Sequence, residues 1–533
     1  MLHDWSLEKV FLRCDVKLEP LVWRWYAWPH LIAPVPLSLH TASRMLPLLE
    51  SFEEKPHVHI AANADPAMYG GPFVDLTLDQ VGEVRRLIDT TRGQAGPLLA
   101  LAAALKEFDA LLQAGASGYS ISEFYDRLPG PLQGLVECLY DAHHRPGMRL
   151  LEPLIAREFD LGASQEIMLA IEGERDRDFF MSTPRLEAPG RQFLKLRFSD
   201  ARLDVLAQMR TQARPFGDIV ELLGIAPQEQ EQFLSYFTAT APSPHPQRRY
   251  AADGVRLRYF GHACVLVETA EVTILFDPMF AFAPMDGARL TIADLPDSID
   301  YVVLSHAHQD HFNPEMLLQI RGRTTCVVVP SSNSGAIPDP SMRLALVELG
   351  FADVRTVESF DCIDLPHGQL QALPFTGEHG DLHIYSKAAF ALRLKGRQML
   401  FLVDSDGRDP ILYERIMRHI GPVDAMFIGM ECHGAPLSWL YEPVMGAAMN
   451  RRNNESRRLT GADSARAIRI FEQVRPDEVF VYAMGQEPWL NYLMGLEYTT
   501  DAVQLIESDL FVAHCLAAGT PAERLFGWRD WTI

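Results

Sequence analysis

The sequence predicts an α/β protein in two parts: a mixed, mainly helical N-terminal domain and a C-terminal domain in which strands and helices alternate. Three observations carry this. Helical periods dominate from Thr77 to Phe237, whereas short apolar, β-branched runs recur from Val255 onward. Between them Thr238–Gly254, TATAPSPHPQRRYAADG, sets Pro242, Pro244 and Pro246 among small and polar residues, a linker composition. Finally, the apolar run Tyr301–Leu304 reads as a buried strand and ends in the histidine-rich loop Ser305–Pro314, SHAHQDHFNP. A chain of 533 residues is long for one domain. The expected division is residues 1–240, a linker over 241–254, and 255–533.

Composition narrows the function classes. Forty-eight Lys and Arg stand against 70 Asp and Glu, a net charge of −22, which disfavours general binding to nucleic acid or to an anionic membrane. The most apolar run, Gly96–Leu105, is stopped by Lys106 well short of a membrane span. The start, MLHDWSLEKV, lacks the regions of a signal peptide. Seven scattered cysteines without a CxxC fit reduced thiols, so a soluble cytoplasmic protein is expected.

In chain order, Phe11–Pro36 is rich in Trp, Tyr and Pro and reads as irregular or strand-like. Helices are expected over Leu78–Thr91, Pro97–Leu112, Pro131–Ala142, Leu151–Phe159, Ala201–Gln212 and Phe216–Phe237. His143 and His144 read as a surface pair at a helix end, and no motif in this block carries chemistry. A role in packing, dimerisation or substrate shaping is expected of it.

The second block opens with an antiparallel meander, Val255–Phe260, Cys264–Thr269 and Val272–Phe276, punctuated by Gly261-His262 and Asp277-Pro278. Past the histidine-rich loop come a helix (Pro314–Arg321), a strand (Thr325–Val329) and a helix (Met342–Leu349). Strands follow at Gln369–Phe375, Ser386–Leu394 and Gln398–Val403. Then come a helix (Pro410–Ile420), a strand (Val423–Gly429), an irregular loop around Asn450–Arg458, a helix (Gly461–Gln473), a strand (Glu478–Ala483) and a closing helix (Thr500–Leu516).

The chemistry gathers at strand ends. In HxHxDH, His306 and His308 at i and i+2 can reach one metal ion, while Asp310 and His311 turn toward a second. Zinc, iron and manganese all accept such ligands. Two further motifs follow strands: Thr376–Asp381, TGEHGD, and Asp404–Gly407, DSDG. Glu378 and His379 are the candidates in the first; on an extended backbone neighbours point apart, so only one is expected at the metal. Asp406 reads as a turn residue.

HxHxDH at the end of a core strand resembles the signature of the metallo-β-lactamase superfamily, over roughly Val255–Ile533. The resemblance implies an αββα sandwich with a dinuclear metal site at one edge, which the order of strands and helices fits. It also implies that Asp404 bridges the metals and that Asp277 lies near them, able to accept from a ligand imidazole. His262 is expected to be structural. Two departures stand out: Glu378-His379 replaces a lone histidine, and Val481–Gln486, VYAMGQ, lacks the last histidine of the hydrolytic members. His433, in an earlier loop, is the nearest spare. Three imidazoles with three carboxylates make a hard, anionic set that favours iron or manganese over zinc, as in the carboxylate-rich diiron sites of helical bundles.

Chain length, HxHxDH, the GEH motif and the DSDG aspartate together resemble a narrower family, the non-haem diiron β-hydroxylases of nonribosomal peptide pathways, including that of chloramphenicol biosynthesis. The resemblance implies two irons held by His306, His308, Asp310, His311, Glu378 and Asp404, with Glu378 as the carboxylate that changes its binding mode. It implies dioxygen as co-substrate and hydroxylation of the β-carbon of an aromatic aminoacyl group such as L-p-aminophenylalanine. That group is carried as a phosphopantetheine thioester on a peptide synthetase carrier domain. A homodimer is expected through the N-terminal domain. With neither a dinucleotide fingerprint nor a CxxC cluster, electrons are expected from an external reductase. Glu431 is expected beside the metals or the substrate channel, and the basic loop Arg451, Arg452, Arg457 and Arg458 near the carrier's phosphate or acidic helix. The competing expectations are a dizinc or dimanganese hydrolase of a phosphodiester, lactone or thioester, and a non-catalytic scaffold with a structural metal.

Overall fold

The computed structural model describes residues 8–533 except 66, 67, 69, 174, 175, 243–249, 283–288, 333, 448, 496 and 497. Residues 243–249, half of the expected linker 241–254, therefore lie outside the described residues.

The C-terminal part is two seven-stranded sheets face to face. The first runs, edge to edge, Val354–Val357, Thr324–Pro330, Ile299–Val303, Thr273–Phe276, Cys264–Glu268, Arg256–Gly261 and Arg529–Thr532. The second runs Cys362–Leu365, Gly368–Leu373, Ala389–Leu394, Arg397–Phe401, Ala425–Gly429, Glu478–Tyr482 and Ala522–Arg524. Each sheet is half antiparallel meander and half parallel strands. Parallel strands buried on both faces read as continuous apolar runs, which is why Ile299–Val303 and Arg397–Phe401 were visible in sequence.

Between the sheets a ladder of rings closes the core. Phe276 stacks on Phe401 at 4.1 Å, Phe401 on Phe427 at 4.7 Å, and Phe427 on Phe480 at 4.9 Å. Helices Ile411–Ile420, Ser464–Val474 and Val503–Ala517 cover the outer face of the second sheet. On the first sheet, helices Pro314–Ile320 and Met342–Glu348 lie in a hydrophobic cluster that continues without a break into the N-terminal part. The layers are those of an αββα sandwich.

The N-terminal part mixes helices, the longest being Val81–Gln94 and Gly96–Gly115, with small antiparallel sheets. Phe11–Pro36 resolves into strands Lys9–Leu12, Val16–Val22 and Trp25–Tyr26, then helices Pro29–Ile32 and Pro34–His40. Two expected helices are corrected. Pro131–Ala142 is a 3₁₀ turn followed by strand Val136–Tyr140, paired with Pro146–Leu150. Its buried Val136 and Cys138 alternate with exposed Glu137, a period of two. His143 and His144 thus sit in a hairpin loop, where the Asp141 carboxylate accepts from the His143 and Arg145 amides. Phe216–Phe237 splits at Gly224, whose φ of 68° ends helix Phe216–Leu223; the second piece is Gln230–Ser235. The loop expected around Arg451 is the short helix Arg451–Ser456, and strand Arg529–Thr532 follows the helix expected to close the fold.

A buried ion network ties the two parts together. Arg177 donates to Glu19 at 2.8 Å and to Glu315 at 2.7 Å, and Arg185 donates to the other Glu19 oxygen at 2.6 Å. Tyr26 donates to Glu315 at 2.9 Å and to Asn313 at 3.1 Å. Asn313 caps helix Pro314–Ile320, accepting from the Met316 amide. The N-terminal part thereby holds the start of the helix that follows the histidine-rich loop.

Candidate metal centre

The site lies where the strands of both sheets end, the usual place for function in α/β sheets. After strand Ile299–Val303, the Ser305 amide and hydroxyl donate to the two oxygens of Asp277, at 2.8 and 2.7 Å. The next residues form one helical turn, with the His311 and Phe312 amides donating to the His308 carbonyl at 3.1 and 2.8 Å. Residues three apart on such a turn share a face, so His308 and His311 are delivered to the same edge as His306.

The second and third loops reach this edge by left-handed turns. Gly377 has φ 98° and Glu378 has φ 62°, and a Cβ on Gly377 would lie 2.0 Å from Asp406. The backbone here is a turn, so Glu378 and His379 both face the cluster, and the expectation that only one of them does is corrected. Val403 holds φ 51°, rare for a β-branched side chain, and turns Asp404 inward. Opposite it, Gly429 leaves the room: a Cβ there would lie 2.4 Å from Asp404 Oδ1. Asp406 stays outside the clusters, where its amide joins the two loops through the Thr376 carbonyl at 3.0 Å.

Among the described residues, three groups of side chains bring potential ligand atoms within 4.8 Å of one another: His306, His308, Glu378 and His379; His306, His311 and Asp404; and His262, Asp310 and His311. His308 Nδ1 is 2.5 Å from Glu378 Oε1, and Glu378 Oε2 is 3.4 Å from His306 Nε2. Asp404 Oδ2 lies 3.0 Å from His311 Nε2 and 3.7 Å from His306 Nε2, so it spans the groups. Atoms that share an ion at about 2.0–2.2 Å stand about 3 Å apart, and these spacings fit one.

Atoms left without a hydrogen-bond partner mark the same place. Buried and unpartnered are the Nε2 atoms of His306, His311 and His379, with Glu378 Oε2, Asp404 Oδ1 and Glu431 Oε1. Buried polar atoms are ordinarily satisfied, and a cluster of such atoms facing one another fits a pair of cations.

The electrostatics agree. Burial, and then the neighbouring imidazoles His311 and His308, push His306 well below its ordinary pKa; burial also holds His379 down. Burial opposes protonation of His311, but the carboxylates of Asp404, Asp310 and Asp277 raise it well above its ordinary value. Burial raises Glu378, and burial with the charges of Asp404, Asp310 and Glu378 raises Glu431 strongly. Without metal, crowded carboxylates must share protons that cations would displace.

Around the clusters, Asp277 accepts from His311 Nδ1 at 2.9 Å. His262 Nδ1 accepts from the Gly485 amide at 3.2 Å, which leaves the ring proton on Nε2, 3.1 Å from Asp310. The stretch where the last histidine is missing therefore packs against His262. With His262 and His379 present, the neighbourhood holds five imidazoles, so the count of three nitrogens to three carboxylates undercounted nitrogen and does not by itself select iron. Glu431 lines a cavity of about 360 Å³ with His308, Asp310 and Glu378. His433 is exposed and belongs to none of the three groups. Sequence reasoning missed Tyr441, whose hydroxyl is 3.0 Å from His308 Nε2; no motif marks it. Arg457 and Arg458 donate to the carbonyls of Gly380 and Gly434, at 2.6 and 2.7 Å, leaving Arg451 and Arg452 exposed.

Comparison with known proteins names the chemistry. A family described as the diiron non-heme β-hydroxylase N-terminal domain matches residues 11–242, and a β-lactamase superfamily domain matches 256–401. The chain is 35% identical over 525 residues to the 4-amino-L-phenylalanyl-[CmlP-peptidyl-carrier-protein] 3-hydroxylase of Streptomyces venezuelae, covering 96% of this chain and 98% of that one. The crystal structure of CmlA, a diiron β-hydroxylase from Streptomyces venezuelae, superposes with a TM-score of 0.91 at 32% identity, over 99% of this chain and 100% of that one. A mutant of CmlA β-hydroxylase gives 0.89 at 33%, over 98% and 100%. The dinuclear site is an iron site, and the chain belongs to the non-haem diiron β-hydroxylases, metallo-β-lactamase-fold enzymes with their own N-terminal domain.

Proposed function

We propose that this enzyme hydroxylates the β-carbon of an aromatic aminoacyl group, 4-aminophenylalanyl or a near relative, held as a thioester on a peptidyl carrier protein. The observation that carries the reading is near full-length similarity to a hydroxylase of that substrate, joined to a cavity that opens directly onto the paired clusters.

His306, His308 and Glu378 would hold one iron and Asp310 and His311 the other, with Asp404 in reach of His306 and His311. Bound iron supplies the dioxygen chemistry that zinc lacks. The protein supplies position. Asp277 accepts the Nδ1 proton of His311 and aims Nε2 at the centre; Tyr441 does the same for His308 through Nε2, which leaves Nδ1 free. Glu378, in reach of both His306 and His308, is the carboxylate with freedom to change its mode, and His379 stands beside it as a reserve donor. Glu431 places a carboxyl at the cavity wall. An external reductase and a homodimer through residues 1–240 complete the assignment, with 255–533 as the catalytic domain.

The test is to reconstitute the purified protein with iron, supply a reductant, and present the carrier loaded with 4-aminophenylalanine. The expected result is dioxygen uptake with one oxygen atom added to the aminoacyl group. Two tightly held zincs, with no oxygen consumption after iron loading, would return the site to the hydrolases.

A further inference from the structure

The cavity on the metal centre does not end at its own walls. Gly70, Gly71, Pro72, Phe73 and Trp439 line it and also line a second, larger cavity of about 720 Å³ on the side away from the metals. The shared partition is closely built. Trp439 is wedged between two glycines with positive φ: a Cβ on Gly70 would lie 2.4 Å from its ring, and one on Gly495 would lie 2.8 Å from it. Phe179 packs edge-on to the same indole at 5.1 Å. The Trp439 and Ser438 carbonyls accept from Arg44 of the N-terminal part, the latter at 2.9 Å. Arg44 and Ser43 lie on the π-helical turn Thr41–Met45, a local widening that often marks a functional surface.

The two cavities differ in charge. The inner one is lined by Asp310, Glu378 and Glu431, with Arg458 as its cation. The outer one carries Arg44, Lys55 and Lys106, with Glu442 as its carboxylate. In a chain of net charge −22 this is an unusual concentration of cations. Arg44 is committed to the Trp439 segment. Lys106 is exposed and meets the Ser43 hydroxyl at 2.6 Å; Lys55 is exposed and pairs with its neighbour Glu54, at 3.1 Å. Both are placed to meet an anion arriving from solvent.

We propose that the outer cavity receives the phosphodiester end of a phosphopantetheine arm, with Lys106 and Lys55 as its cationic contacts, while the thioester end passes Trp439 into the cavity on the metals. The inference rests on the carrier-bound reading above and adds to it a route and a phosphate site.

The experiment measures binding, not turnover. Two probes are prepared: the amide analogue of 4-aminophenylalanyl-phosphopantetheine, and the same molecule without its phosphate. Each is titrated calorimetrically against the iron-loaded protein and against the double variant Lys55→Glu, Lys106→Glu, whose metal content and circular dichroism are checked first. The expected wild-type result is about tenfold or tighter binding of the phosphorylated probe, the scale of one charge-assisted contact. The variant loses that preference and keeps its affinity for the dephosphorylated probe. Equal affinity of the wild type for the two probes overturns the proposal, as does a preference that survives in the variant. If neither probe binds while the loaded carrier is still hydroxylated, the proposed cavity is wrong and the substrate reading stands. If neither probe binds and the loaded carrier is not hydroxylated, the substrate reading itself fails.

Discussion

The Tyr441 hydroxyl lies 3.0 Å from His308 Nε2, while Nδ1 of the same ring faces Glu378 at 2.5 Å. One imidazole thus has a proton acceptor on one side and the metal position on the other. Burial, then the nearby carboxylate of Glu378, push the Tyr441 hydroxyl well above its ordinary pKa, so it stays a neutral phenol whose oxygen can accept a hydrogen bond from Nε2–H. Replacing Tyr441 by Phe keeps the ring that packs on His30 and removes only this acceptor. Loss of such an outer partner typically costs 10–100-fold in metal affinity or activity. The expected outcome is a fall of about that size in iron affinity, measured by chelator competition, with an unchanged thermal midpoint for the metal-free protein. Equal affinity would assign Tyr441 to packing alone.

Asp277→Asn tests the other oriented ligand. Asp277 takes two bonds from Ser305 and one from His311 Nδ1. An amide can keep the Ser305 amide bond through its oxygen but presents N–H, not an acceptor, to His311. The ring is then driven to the tautomer with its proton on Nε2, facing Asp404 at 3.0 Å. We expect one of the two irons to be lost preferentially, read as iron per chain falling from two toward one and as a changed optical spectrum. Retention of two irons with an unaltered spectrum would show that the tautomer is set elsewhere.

How legible these features are in the sequence depends on whether they are local. The strand before HxHxDH and the aspartate after Arg397–Phe401 both follow from short-range pattern, and the observed elements lie where that pattern places them. What failed did so for stated reasons. Val136–Tyr140 has a period of two that the flanking Pro and Leu residues obscure as helix. Glu378 and His379 were separated by assuming an extended backbone, whereas Gly377 and Glu378 adopt left-handed turns. His262 reaches Asp310 at 3.1 Å from 48 residues earlier in the chain, and Tyr441 reaches His308 from 133 residues later. Tertiary neighbours of that kind leave no trace in spacing.

The ion network between the parts predicts a stability effect. Arg177, Glu19 and Glu315 are all fully buried, and Arg177 also lies 3.4 Å over the Tyr492 ring. Burial raises Glu315, with Arg177 opposing it, while the arginines hold Glu19 down to about 2 against the burial that would raise it. Arg177→Ala leaves the buried Glu315 without its cation and Glu19 with Arg185 alone, a class of change that costs about 3–5 kcal/mol. The denaturant midpoint should fall accordingly. Because Glu315 sits on the helix capped by Asn313, directly after the metal loop, iron retention should fall in the same variant. A midpoint shift corresponding to less than about 1 kcal/mol would mean that the network contributes little beyond what replacement packing restores.

Glu152 gives a prediction with a definite pH dependence. It begins helix Glu152–Glu158, accepts from the Ser341 amide at 2.8 Å, and is raised by burial from 4.5 to about 7. A carboxyl whose folded pKa exceeds its unfolded value binds its proton more tightly in the fold, so its contribution is fully present below about pH 4.5. That contribution declines as pH rises and is gone above about pH 7, where the folded protein carries a buried charge. A shift of this size corresponds to about 3 kcal/mol between the two limits. Glu152→Gln keeps an oxygen for the Ser341 amide and has nothing to ionise. The variant should therefore match the wild type near pH 4.5, exceed it increasingly up to about pH 7 and keep a constant lead above that, as read by thermal or denaturant midpoints from about pH 4.5 to 8. A difference that does not vary with pH would show that Glu152 is already ionised, and compensated, in the fold.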